Sequence, residues 1–119
     1  MRTRIAGRRR TRRSAALVAL VALGAGLAAP AGGGDPAAGR VKARACAPCH
    51  GPDGVSRMPA TPHLAGQPAE YLIAQLRAFR SGRRAHAVMG VVAKPLSDAD
   101  IDDLAAWYAS IAIRARPPP

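Results

Sequence analysis

Large side chains are scarce in this sequence, and that scarcity constrains the fold more than any other feature. The 119 residues include one Trp, two Tyr and one Phe. They are Tyr71, Phe79, Trp107 and Tyr108, all in the second half of the chain. The length suits one small domain. A small domain buries a low fraction of its surface, and chains of this size often need a disulfide or a metal to close the core. A large apolar group bound in the centre would serve the same end.

The charge is unevenly placed. The formal balance is +11, yet residues 1–13 contain Arg2, Arg4, Arg8, Arg9, Arg10, Arg12 and Arg13 and no acidic residue. From Ser14 onward eleven Lys and Arg stand against seven Asp and Glu, a balance of +4. Ala15–Ala29 follows as an almost unbroken run of Ala, Leu, Val and Gly, closed by Ala28, Ala29 and Ala31. This is the charged, apolar, small-residue order of a secretory signal. It predicts export and removal of residues 1–31, with the cut after Ala28 or Ala31. The apolar run is about 15 residues long, short of the roughly 20 that span a bilayer. No permanent membrane span is therefore expected after removal; an uncleaved anchor is the competing reading. A nucleic-acid arm would need no apolar run and would interleave aromatic residues for stacking, so no nucleic-acid partner is expected.

Residues 32–113 read as a single all-α domain. After a leader at Gly32–Gly34, Asp35 offers an N-cap and Pro36 a first helical position. Ala37–Ala45 reads as a short helix. Gly39 inside it is costly unless another helix crosses closely there. Cys46–Pro62 reads as loop, with three prolines and two glycines from Gly51 onward. Pro68–Ser81 is the clearest helix, with Tyr71, Leu72, Gln75, Leu76 and Phe79 at helical spacing and Gly82 as a left-handed cap. Arg83–Pro95 reads mostly as loop. Ser97 caps a further helix, with Asp100 three residues on as a weak capping box. Asp98, Asp100, Asp102 and Asp103 sit at its positive end. Ile101, Leu104, Trp107, Tyr108 and Ile111 form its buried face. Residues 114–119 read as an unstructured tail. No strand alternation is visible.

The chemistry lies in Cys46-Ala47-Pro48-Cys49-His50, a Cys-x-x-Cys-His haem-attachment motif. Two residues on a helical turn separate the thiols by the distance between two vinyl groups of one porphyrin. His50 then reaches the iron from beneath the ring. A disulfide between the cysteines would close a very small loop and leave His50 unexplained. A thioredoxin-like pair would need strands. A zinc site would need two further ligands; His63 and His86 could complete one, at a spacing that matches no zinc pattern. For a second axial ligand the candidates are Met58, Met89, His63 and His86. Chain reach does not exclude Met58. Met89, between two helices, leaves the chain room to return on the far side of a ring, and His86 competes three residues before it.

Several further runs occur in order: Ala-Gly-Arg before the cysteines, Cys-Ala-Pro-Cys-His-Gly-Pro-Asp-Gly, Pro-His-Leu-Ala-Gly-Gln, Tyr-Leu-x-x-Gln-Leu-x-x-Phe-Arg-x-Gly, and Leu-Ser-Asp-x-Asp-Ile-x-x-Leu-Ala-x-Trp-Tyr-Ala-Ser. With these the chain resembles the small bacterial class I cytochromes c, from Asp35 to about Ile111. It is similar to one half of the di-haem cytochrome c4 type and to the mono-haem c553-like proteins. The resemblance implies a small cytochrome c fold, helices wrapped around one covalently attached haem c with the N- and C-terminal helices crossing. It implies Met89 as distal iron ligand opposite His50. It also implies a Pro62 carbonyl that accepts from the other ring nitrogen of His50, Leu64 packed on the haem face, and Gly39 crossing at Trp107 or Tyr108. The expected function is periplasmic one-electron transfer without enzymatic activity, as a monomer or as the electron-accepting subunit of a dehydrogenase or oxidase. A five-coordinate gas- or peroxide-binding protein is the third reading. Arg77, Arg80, Arg83 and Arg84 read either as a solvated helix end or as a docking patch for transient, acidic-faced redox partners.

Overall fold

The computed structural model describes residues 33–119. The expected export segment at 1–31, and residue 32 with which the domain was expected to begin, lie outside them.

Helix α1 spans Pro36–Lys42. Asp35 caps it by accepting from the Ala37 N–H at 2.8 Å, and Pro36 takes a position where no N–H is needed. The helix tightens into a 3₁₀ turn at Ala43–Ala45, so the expected continuous helix is two pieces. Helix α2 is a single turn, Ala47–His50, the helical turn expected of the Cys-x-x-Cys-His run within a stretch that otherwise reads as loop. Pro48 near its start fixes the first turn.

Helix α3 spans Ala69–Ser81 and ends at Gly82 in the left-handed conformation, φ +79°. Helix α4, Met89–Ala93, is a correction: the sequence reads as loop there. The His86 imidazole makes it possible. Its Nδ1 accepts from the N–H groups of Val88 and Met89, each at 3.2 Å, and so satisfies donors that a five-residue helix leaves open. Periodicity cannot reveal so short an element. Helix α5 spans Asp98–Ser110 with a complete capping box. Ser97 Oγ accepts from the Asp100 N–H at 3.1 Å, and Asp100 Oδ2 accepts from the Ser97 N–H at 3.0 Å. The fold is all-α, with no strand among the described residues. None of the helices described is long and apolar enough to cross a membrane.

α1 crosses α5 at Gly39. A Cβ on Gly39 would run into the Asp103 carbonyl oxygen and lie 2.8 Å from Trp107 Cβ. Absence of a side chain is what lets the two backbones meet. The crossing is latched at both ends of α1: the Asp35 N–H donates to Asp103 Oδ1 at 2.7 Å, and Lys42 Nζ reaches Asp103 Oδ2 at 2.6 Å and Asp100 Oδ1 at 2.7 Å. Lys42 holds both carboxyls below the usual carboxylate range. Ala43, Leu72, Leu104, Ala105 and Tyr108 form the core cluster where the helices meet. Tyr71 departs from its expected stripe and is 47% exposed, while Trp107 and Ile111 are only partly buried.

The arginine cluster divides. Arg80 donates to the Leu96 carbonyl at 2.9 Å and pairs with Asp98 at 2.7 Å, and Arg77 lies 3.5 Å from Asp98 and 3.6 Å from Asp102. These two brace α3 against the start of α5. Arg84 stacks over Phe79, its guanidinium 4.5 Å from the ring centre. Neither a solvated helix end nor a four-arginine docking patch describes this arrangement.

Two predictions follow from the crossing. Gly39→Ala should destabilise the folded protein by about 1–3 kcal/mol through overpacking, although helix propensity alone favours Ala by ~1 kcal/mol; denaturant unfolding measures the sign. The Asp100 and Asp103 carboxyls have folded pKa values below their unfolded ones, so the stability they lend is present above about pH 4 and fades as pH falls below it. The stability gap between wild type and Lys42→Met should therefore shrink between pH 6 and pH 2, as read by thermal melts.

Candidate functional site

The turn of α2 sets out the reactive groups. The His50 N–H donates to the Cys46 carbonyl at 3.0 Å, and the Gly51 N–H donates to Ala47 at 2.9 Å. Cys46 and Cys49, three apart on this turn, share one side of it. Both are free thiols and half-buried. Burial pushes the Cys46 thiol up.

Their side chains border a cavity of about 250 Å³. Cys46, Cys49 and His50 form one wall, and Pro62 and Leu64 of the following loop extend it. Tyr71, Leu72 and Phe79 come from α3, Met89 and Val92 from α4, and Leu104, Ala105 and Tyr108 from α5. All six residues singled out in the sequence thus meet at one place: Cys46, Cys49, His50, Pro62, Leu64 and Met89. The remaining lining is mostly apolar, as a large flat apolar group requires.

Hydrogen bonding separates the three histidines. His50 is 7% exposed, and its Nδ1 lies 2.9 Å from the Pro62 carbonyl oxygen. A carbonyl can only accept, so Nδ1 carries the proton and Nε2 keeps its lone pair. His63 also borders the cavity, but its Nδ1 accepts from the Ser56 N–H at 2.9 Å. His86 accepts from two backbone N–H groups at the same atom. In both, the neutral ring must carry its proton on Nε2, which then has no lone pair for a metal. The methionines separate by position. Met89 borders the cavity, whereas Met58 is 48% exposed and lies outside it.

The competing chemistries of the cysteine pair find no support in this arrangement. Among the described residues no three His, Cys, Asp or Glu side chains converge on a possible metal position, and the thioredoxin reading lacks its strands. Tyr108 is the residue that sequence reasoning left out of the site. Periodicity places it on a buried face, as it does Leu72, Phe79 and Leu104, but does not distinguish a face that meets a helix from one that meets a ring. The residue is 4% exposed, and its hydroxyl is buried without a hydrogen-bond partner among the described residues.

Comparison with known proteins agrees with this geometry. The Cytochrome c family model matches residues 37–112. The chain is 50% identical over 78 residues to cytochrome c4 of Thiocapsa roseopersicina, a match that covers 65% of this chain and 40% of that protein. It is 46% identical over 80 residues to cytochrome c-554(548) of Halomonas halodenitrificans, covering 65% of this chain and 96% of that one. The solved thiosulfate dehydrogenase of Marichromatium purpuratum superposes with a TM-score of 0.61 at 41% identity, covering 72% of this chain and 22% of that chain. The chain thus spans less than half the length of the cytochrome c4 relative and nearly all of the Halomonas protein. A helical turn bearing two free thiols and a histidine with a lone pair, set on an apolar cavity, fits the covalently bound haem c that these similarities imply, and the chain belongs to the cytochrome c family.

Proposed function

We propose that the chain is a periplasmic one-electron carrier holding one haem c through thioethers at Cys46 and Cys49 and axial ligands His50 and Met89. The observation that carries this reading is the sorting of donors around the cavity. His50 is the histidine whose Nε2 is free, and Met89 is the methionine that borders the same space. The haem iron, when bound, supplies a ferrous–ferric couple, and His/Met ligation favours the ferrous form.

The chain's own residues do the rest. The Cys46 and Cys49 sulfurs tether the ring on one side. The Pro62 carbonyl fixes the His50 ring plane and raises the basicity of Nε2. Met89 presents its thioether from the start of α4, where the His86 cap holds the backbone. Leu64, Leu72, Phe79 and Leu104, which line the cavity, would exclude water from the bound group. His50 and Met89 would both be committed to the iron of a bound haem, and this favours a carrier over an enzyme. Residues 1–31, read as an export signal, support the periplasmic location.

The similarity to a thiosulfate dehydrogenase chain supports a second reading of the same residues, an electron-accepting subunit of a periplasmic dehydrogenase. Retention of a catalytic chain through purification would select that reading over the free monomeric carrier. In either case the partners are redox proteins. Arg83 and Arg84 remain exposed for an acidic face, and electron transfer to a partner recruited that way slows as salt rises.

Ligation is tested on protein expressed with haem-attachment machinery. The oxidised wild type should show a methionine–iron charge-transfer band in its absorption spectrum. Met89→Ala should abolish that band and lower the reduction potential. His86→Asn, which keeps a side-chain acceptor for the α4 cap, should retain it. A band that survives in Met89→Ala would contradict the assignment.

A further inference from the structure

The wall of the cavity holds one permanent cation, Arg84. Among the described residues that line this space it is the sole Lys or Arg, and none is Asp or Glu. Arg84 follows α3 in the chain and is tied to it at three points. Its backbone N–H donates to the Ala78 carbonyl at 3.1 Å. Its Nη1 donates to Gln75 Oε1 at 2.6 Å. Its guanidinium lies over Phe79, 4.5 Å from the ring centre. Gln75 and Phe79 line the cavity as well, so these contacts hold the charge on the wall.

An arginine held this way calls for an anion. A guanidinium has five N–H donors and no acceptor. Gln75 takes one donor, and no acidic side chain pairs with Arg84 among the described residues. The neighbouring arginines differ. Arg77 and Arg80 pair with Asp98, and Arg83, which does not line the cavity, donates through Nε to Ser81 Oγ at 3.3 Å. A planar fork of N–H groups suits a carboxylate, and an apolar wall strengthens such a pair relative to water. A carboxylate has two sources here. Haem carries propionate side chains, and an acidic redox partner carries Asp and Glu. Arg84 is exposed, but Gln75 and Phe79 hold its guanidinium beside the cavity, which favours the haem.

We infer that Arg84, held in place by Gln75 and Phe79, pairs with a propionate carboxylate of the bound haem and thereby raises the reduction potential. The inference rests on the reading of the cavity as the haem site. Arg84 meets the periphery of the cofactor and leaves the iron to His50 and Met89. Its fixed positive charge disfavours the additional positive charge of the ferric state, so the ferrous form gains.

The test compares Arg84→Gln with Arg83→Gln, which removes the same formal charge one residue away. Both are expressed with haem-attachment machinery and measured alone, so that no partner's carboxylate contributes. Both should keep two thioethers by intact mass, and both should keep the methionine–iron band. At the wild-type midpoint the ferrous-to-ferric ratio of Arg84→Gln should fall about threefold, the scale of a partly exposed ion pair. Arg83→Gln should leave it nearly unchanged, and Arg84→Lys should restore part of the loss. In the infrared difference between oxidised and reduced protein, the propionate carboxylate stretch should shift in Arg84→Gln and stay in place in Arg83→Gln. Equal ratios in the two variants, with an unmoved carboxylate band, would overturn the inference and leave Arg84 to a partner's acidic face. Loss of the methionine–iron band in Arg84→Gln would also overturn it, by placing the effect in the ligation. Absence of covalent haem from the wild type would instead sink the underlying site assignment, and the intact mass distinguishes that outcome.

Discussion

The helices of this protein meet around a cavity, and in the proposed reading most of its structure follows from what fills that space. Direct helix-to-helix contact is concentrated at the α1–α5 crossing, where Gly39 lets the backbone of α1 reach Asp103 and Trp107. Beyond that crossing the apolar faces of α3 and α5 turn toward the cavity, and Cys46, Cys49 and His50 stand on its wall. Four aromatic residues in the whole chain do not fill such a space. A ring tethered at two points adds apolar area where the sequence has least, and it does so without the entropy cost of ordering further side chains. In the proposed reading the cofactor completes the core.

The site is built by backbone acceptors and donors as much as by side chains. One carbonyl, that of Pro62, determines which nitrogen of His50 is free. One N–H, that of Ser56, determines the opposite tautomer for His63. His86 serves as a helix cap, and the turn it caps begins with Met89. In the proposed reading the two residues cooperate: the His86 imidazole caps the turn from which Met89 would present its thioether.

How much of this was legible in the sequence depends on the range over which each signal acts. Asp35, Pro36, Gly82 and Ser97 act within a turn, and the helix boundaries they imply are the observed ones to within a residue or two. Gly39 was legible as a crossing because a glycine in a helix has few other reasons to be there. The Cys-x-x-Cys-His run was legible because its spacing is itself the chemistry. Signals that act across the fold were not. Arg77 and Arg80 read as surface charge until α5 brings Asp98 and Asp102 beside them. α4 depends on a hydrogen bond from outside its own five residues. Tyr108 belongs to an apolar stripe by sequence, and only the packing reveals that its hydroxyl is buried without a partner.

The account stands most directly on the claim that the bound haem completes the core. Far-ultraviolet circular dichroism of the chain with both Cys46 and Cys49 replaced by Ser, purified free of haem, measures this against the haem-bound wild type over a thermal ramp. The account predicts that the haem-free chain has lost most of its helical signal and melts without a cooperative transition. A haem-free chain with a wild-type helical spectrum and a sharp melt would contradict it, and would show that the helices close on one another without help.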